Sequence, residues 1–210
     1  MIIKICGLTT LTDAQLAKDC GADWLGFIFA PSRRQITPQA ARDITAQLTG
    51  CTKVGVFVDC PVAQVQEIAA YCQLDIVQLH GQENENYRRQ LGLPHIKVFS
   101  LSPDGQTLHQ PWPADADWIL LDTAVKGQSG GTGVPFTWSQ AVERCRNSAR
   151  PILAAGGLTE ANVADAIRSL QPFGVDVAGG VETEGRKDGL KLERFIRAAR
   201  QAAKEVEHVS

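Results

Sequence analysis

Hydrophobic positions along the chain follow two alternating rhythms. Short apolar runs, "IIKIC", "WLGFIFA", "KVGVFVD", "DIVQLH", "HIKVFSL", "DWILLD", "PILAA" and "GVDVA", read as eight strands. Stretches of helical period lie between most of them. Val65, Ile68, Ala69 and Cys72 fall at i, i+3, i+4 and i+7. Val163, Ala166, Ile167 and Leu170 repeat the spacing, and so do Leu192, Phe195, Ile196 and Ala199. Thr37 before Pro38, and Thr159 before "EANVADAI", read as helix N-caps.

A strand-then-helix unit repeated eight times, from a first strand to a last helix, predicts an α/β protein. Its expected architecture is a (β/α)8 TIM barrel, one domain over residues 1–210. An open doubly wound sheet would more often carry a phosphate loop after its first strand. The turn here, "CGLTT", has neither G-x-G-x-x-G nor a P-loop pattern. One unit departs from the rhythm. Between Leu101 and Asp117 the prolines and glycine of "SPDGQTLHQPWPADA" leave room for only a short or irregular fifth helix.

Composition narrows the function classes. Hydrophobic residues make up 44%, enough for a substantial core, and the net charge of −2 is spread among mixed signs. There is no basic stripe for nucleic acid and no apolar run near the roughly 18 residues of a membrane span. The chain opens directly into a strand-like segment, so no signal peptide is read and a cytoplasmic protein is expected. The six cysteines form no C-x-x-C pair, and no histidine lies three to five residues from another. No metal site is expected, and most thiols should be buried and reduced. The helices show no exposed apolar stripe, which points to a monomer.

In such barrels the reacting groups gather at the C-terminal ends of the strands. Those ends carry Cys6, the segment after Ala30, Asp59, His80, Ser100, Asp122, Gly156–Gly157 and Gly179–Gly180. Strand parity turns Ile2, Lys4 and Cys6 inward together, and likewise Leu120 with Asp122, and Asp176 between Val175 and Val177. A buried ammonium needs a partner. Strands one and eight are neighbours in a closed barrel, so Asp176 is the expected partner of Lys4, with Asp122 second. The alternative is a lysine that snorkels to water.

Two glycine pairs, in "LAAGGL" and "VAGGVE", end successive strands. They mark Gly156, Gly157, Gly179 and Gly180 as a phosphate cradle, where backbone N–H groups and a helix end meet an anion. "KGQSGGTG", Lys126 to Gly133, reads either as a mobile cover over Asp122 or as a surface connection. Arg33 and Arg34 after strand two could clamp a carboxylate or lie solvated. His80 in "QLHG" reads as a binding or structural hydrogen-bonder more than a proton carrier.

Taken together, "KICGLT", "GADWLGFIF", "SRRQITPQAA", "KVGVFV", "VQLHG", "LLDT", "GGTG", "GGLTEANV", "GVDV", "GVE" and "KDG" cover nearly the whole chain in order. This ordered set resembles the phosphoribosylanthranilate isomerase family of tryptophan biosynthesis. The resemblance implies an Amadori rearrangement of an aminoaldose, N-(5′-phosphoribosyl)anthranilate, to an aminoketose. It implies Cys6 as general base, Asp122 as general acid and Arg34 on the anthranilate carboxylate. His80 and Asp176 join Arg34 as expected substrate-binding residues. One acid and one base suffice, without metal or cofactor.

A base must be deprotonated, so Cys6 is expected to gain thiolate character from Lys4 or the adjoining helix end. Asp122 must be protonated to act as an acid. The family commonly reads D-V-S-S-G-V-E after strand eight, whereas this chain reads "DVAGGVE". Backbone N–H groups would then carry more of the phosphate binding. Other phosphosugar barrels fit less well. A lyase like indole-glycerol-phosphate synthase calls for a catalytic lysine with glutamates at strand ends. An isomerase like that of aminoimidazole ribotide calls for aspartates at strand ends one and five, where this chain has Cys6 and Ser100. A barrel that binds phosphosugars without turnover has no need of Cys6 and Asp122 together.

Overall fold

The computed structural model describes residues 1–101, 112–122 and 139–208. Eight parallel strands close into a barrel in chain order. They are β1 (Ile2–Ile5), β2 (Trp24–Ile28), β3 (Thr52–Phe57), β4 (Ile76–Leu79), β5 (His95–Ser100), β6 (Trp118–Asp122), β7 (Ile152–Ala155) and β8 (Gly174–Val177). Outside them lie α1 (Leu11–Asp19), α2 (Pro38–Thr45), α3 (Val62–Tyr71), α4 (Glu85–Leu91), α5 (Ser139–Arg146), α6 (Val163–Leu170) and α7 (Gly189–Glu207). No helix is described between β5 and β6, and residues 102–111 of that connection lie outside the described residues. The same holds for the glycine-rich stretch Lys126–Gly133. None of the described helices is long and apolar enough to cross a membrane.

Alternation along the strands builds two apolar layers. Inward residues such as Trp24, Val54, Ile76, Ile96, Leu120 and Leu153 fill the barrel. Their outward neighbours, among them Ile3, Ile5, Leu25, Leu79 and Leu121, pack under the helices. The predicted helix stripes are buried there, including Val65, Ile68, Leu192, Phe195 and Ile196. Trp24 and Trp118, each the first residue of its strand, meet edge to face with centroids 5.3 Å apart. Their rings close the N-terminal end of the barrel, and the polar inward residues are left at the other end.

Thr37 caps α2 as expected, its Oγ1 accepting from the Ala40 N–H at 3.2 Å. The N-cap of α6 is Asn162, not Thr159, but the Thr159 Oγ1 does accept from the Ala161 N–H at 3.3 Å in the turn just before the helix. Asn162 folds back instead, donating to the Gly157 carbonyl at 3.0 Å and accepting from the Thr159 N–H at 2.8 Å. The Thr159–Asn162 turn leads into the helix, with the Val163 N–H donating to the Thr159 carbonyl at 3.1 Å. After β8 comes one 3-10 turn, Gly179–Val181, and then a small hairpin of β9 (Glu182–Thr183) and β10 (Arg186–Lys187). Its two-residue loop has Glu184 at φ 51° and Gly185 at φ 79°, as a type I′ turn requires.

Candidate active site

Register places Lys4 of β1 opposite Asp176 of β8, both facing inward. The Lys4 side chain is fully buried, and its Nζ donates to Asp176 Oδ1 at 2.8 Å. The expected pair therefore forms. Burial pulls the Lys4 ammonium toward the neutral form, but Asp176 and Cys6 outweigh it and hold its pKa above the ordinary value.

Cys6 follows β1 on the same face and is 5% exposed. Its thiol differs from the sequence expectation. Lys4 and Lys187 do favour the thiolate, but desolvation is the larger effect and Asp176 adds to it. The net result is a pKa above the ordinary thiol value. Strand parity shows which charge lies nearby, but not how completely the sulfur is removed from water.

His80 and Asp122 sit at the ends of β4 and β6, with His80 Nε2 3.6 Å from Asp122 Oδ2. Burial lowers the His80 pKa, with Asp122 and Asp176 opposing. At neutral pH the imidazole is therefore uncharged, with one nitrogen to donate and one to accept.

Gly156 and Gly157 end β7 in left-handed conformations, at φ 88° and 64°. Gly180 lies in the turn after β8, so close to the other loop that a Cβ there would stand 1.8 Å from the Leu158 carbonyl oxygen. The two glycine-rich turns thus abut. A Cβ on Gly179 would stand 3.0 Å from Arg34 Nη2, so this turn also borders the guanidinium.

Arg34 is held from one side. Its Nε and Nη2 donate to the two carboxylate oxygens of Glu182, each at 2.7 Å. Arg33 reaches Glu182 Oε2 at 3.2 Å, but its own side chain is 68% exposed. Lys187 Nζ donates to Glu182 Oε1 at 2.8 Å, and also to the carbonyls of Cys6 at 2.7 Å and Ala178 at 2.9 Å. Neither Glu182 nor Lys187 is marked out by the strand and helix pattern of the sequence. The one available signal was "TEGR", whose Glu-Gly is a weaker hairpin mark than Asn-Gly.

A closed parallel barrel with its polar groups collected at the C-terminal mouth defines the class, a (β/α)8-barrel enzyme. The family model described as N-(5′-phosphoribosyl)anthranilate (PRA) isomerase matches residues 3–198, and the chain belongs to that family. The N-(5′-phosphoribosyl)anthranilate isomerase of Desulforudis audaxviator is 44% identical over 203 residues, covering 96% of this chain and 98% of its own. The Oceanobacillus iheyensis enzyme of the same name is 41% identical over 198 residues, covering 93% and 95%. The crystal structure of phosphoribosyl anthranilate isomerase from Thermotoga maritima superposes with a TM-score of 0.86 at 36% identity, covering 96% of this chain and all of that one. A phosphoribosyl anthranilate isomerase in complex with reduced 1-(o-carboxyphenylamino)-1-deoxyribulose 5-phosphate gives a TM-score of 0.84 at 35% identity, with 96% and 100% covered.

Proposed function

We propose that Cys6 and Asp122 are the base and the acid with which this chain isomerises N-(5′-phosphoribosyl)anthranilate in tryptophan biosynthesis. The observation that carries the assignment is the placing of Cys6. It is buried at the end of β1, in a field set by Lys4, Asp176 and Lys187. A structural cysteine has no need of two lysines around it.

The chemistry follows from the two groups. Asp122 gives a proton to the ribose ring oxygen. The C1–O bond breaks, and the nitrogen lone pair forms an iminium. Cys6 as thiolate removes the proton on C2, and that electron pair forms the C1=C2 bond of an enolamine while the nitrogen recovers its lone pair. Tautomerisation to the ketone completes the exchange, with no net oxidation. Each positioned group contributes typically about 10²–10⁴ in rate.

The remaining side chains hold the substrate. Arg34 takes the anthranilate carboxylate, and the turns at Gly156–Gly157 and Gly179–Gly180 take the phosphate through backbone N–H groups. Neutral His80 stands beside Asp122, its Nε2 3.6 Å from Oδ2, and offers the substrate a hydrogen bond. Asp176 commits Oδ1 to Lys4 and offers Oδ2 to a ribose hydroxyl. The soluble intermediates of this pathway support a cytoplasmic setting.

A fluorescence assay on freshly made phosphoribosylanthranilate tests the reading. Turnover by the wild type, lost in both Cys6→Ala and Asp122→Ala, is the expected result. Activity that survives in the variants would defeat the mechanism, and an inactive wild type would defeat the function.

A further inference from the structure

We propose that Glu182 and Lys187, on the β9–β10 hairpin, are positioning residues that aim one edge of Arg34 at the substrate carboxylate and tie that edge to the backbone of Cys6. The inference rests on the isomerase reading and extends it to two side chains outside the acid–base pair.

The argument starts from the guanidinium, which has five N–H donors in a rigid plane. Glu182 occupies the Nε–Nη2 edge with both oxygens. Among the described residues no hydrogen bond is made by Arg34 Nη1. The Nη1–Nη2 edge is therefore the fork left open, and its geometry suits a second carboxylate bidentately. Glu182 fixes the plane in which that fork lies. A freely rotating arginine would have to be ordered each time substrate binds, at a cost in affinity.

Lys187 links this fork to the backbone of Cys6. An ammonium has three protons, and here they meet three acceptors: Glu182 Oε1, the Cys6 carbonyl and the Ala178 carbonyl. The Lys187 side chain is 2% exposed and Glu182 is 5% exposed, so neither is a surface ion pair of negligible effect. The three contacts join the ends of β1 and β8 to the carboxylate that holds Arg34. The ring end and the reacting end of a bound substrate are thereby referred to one rigid group. Gly7 makes room for this arrangement: a Cβ there would stand 2.3 Å from Arg34 Cδ.

Two ligands separate this role from a merely structural one. The first is the reduced product analogue bearing the 2-carboxyphenyl group, and the second is the same molecule with an unsubstituted phenyl ring. Calorimetric binding to wild type, Glu182→Gln and Arg34→Lys is compared, with KM and kcat measured alongside. Glu182→Gln should weaken the carboxylated analogue at least about tenfold, the scale of a charge-assisted fork. It should leave the phenyl analogue within about twofold and raise KM more than it lowers kcat. Arg34→Lys keeps the charge and removes the fork, together with the two hydrogen bonds that Arg34 gives Glu182. It should show the same selective loss at full size, and Glu182→Asp, measured alongside, keeps the negative charge beside Lys187 but draws the carboxylate back from Arg34 and should show a partial one, so the test stands even if Glu182→Gln folds poorly. Equal weakening of both analogues in Glu182→Gln and Glu182→Asp, or of neither, would overturn the proposal. A wild type that binds neither analogue and lacks turnover would instead overturn the isomerase reading.

Discussion

Lys4 and Asp176 face each other across the β1–β8 seam, joined at 2.8 Å, with the lysine side chain fully buried and the aspartate 12% exposed. The asymmetry in exposure sets what each truncation should do. Asp176→Asn leaves a buried ammonium without its counter-charge, and about 3–5 kcal/mol of stability should be lost. Lys4→Met leaves a carboxylate that water can reach, so its loss should be smaller. The double variant Lys4→Met/Asp176→Asn should recover part of the Asp176→Asn loss, because the unpaired charge is gone. Urea unfolding at neutral pH measures all three. Additive losses would show that the two side chains act independently.

The same pair sets a pH signature at Cys6. Desolvation holds the thiol above its ordinary pKa, with Lys4 opposing, Asp176 adding and Lys187 opposing. A base works in its deprotonated form, so kcat/KM should rise through the alkaline range until the pH passes the thiol pKa. Lys187→Met removes a charge that favours the thiolate and should move this limb to higher pH. Asp176→Asn removes one that disfavours it and should move the limb lower. Titration of His80 falls on the acid side of its ordinary value and does not overlap this limb. A limb that stays put in both variants would show that Cys6 is not the group being titrated.

Glu182 offers a prediction about stability. Burial would raise its pKa, but hydrogen bonds from Arg34 and Lys187 and their charges outweigh this and hold it below the ordinary carboxylate value. A carboxylate depressed in the folded state contributes stability that is complete above its unfolded pKa. That contribution is lost as the pH falls through its folded pKa. Wild type should therefore lose stability below about pH 4.5, the ordinary glutamate range, more steeply than Glu182→Gln, which has no proton to take up there. Thermal melts across the acid range give the comparison, and parallel curves would remove Glu182 from the account.

Particular residues show why some of this was legible in sequence. The strands and the Lys4–Asp176 pair followed from parity, because side chains two apart share a face and β8 must close on β1. Strand-end position put Cys6 and Asp122 at the mouth of the barrel, while their roles rest on the family resemblance. Glu182 and Lys187 did not, because their meeting depends on a hairpin of two-residue strands, too short to leave an alternating pattern. The N-cap of α6 lies three residues beyond Thr159 for a similar reason: Asn162 takes up the Thr159 N–H and the Gly157 carbonyl. The raised pKa of the Cys6 thiol has no sign in the sequence, because desolvation is a property of packing and no neighbour in sequence reports it.

Glu83 and Lys97 were likewise silent in the sequence, and they hold the loop that carries His80. Lys97 Nζ donates to Glu83 Oε2 at 2.7 Å and to the Gly81 carbonyl at 2.6 Å. Glu83 Oε1 accepts from the Asp59 N–H at 3.0 Å and the Gly81 N–H at 3.1 Å. The Glu83 side chain is 1% exposed. One carboxylate thus joins the end of β3 to the end of β4, beside the histidine that faces Asp122. Glu83→Gln keeps the shape but leaves the Lys97 ammonium buried without its counter-charge, and an amide N–H₂ has no lone pair for one of those donors. The loop should open before the barrel does. Amide exchange at Asp59 and Gly81 should quicken at least about tenfold, a change of about 1.4 kcal/mol in opening free energy. Amides of β1 and β8 should keep their wild-type protection, and kcat/KM should fall as His80 loses its fixed place. Faster exchange spread evenly over all the strands would instead make the pair a prop of global stability with no special hold on the site.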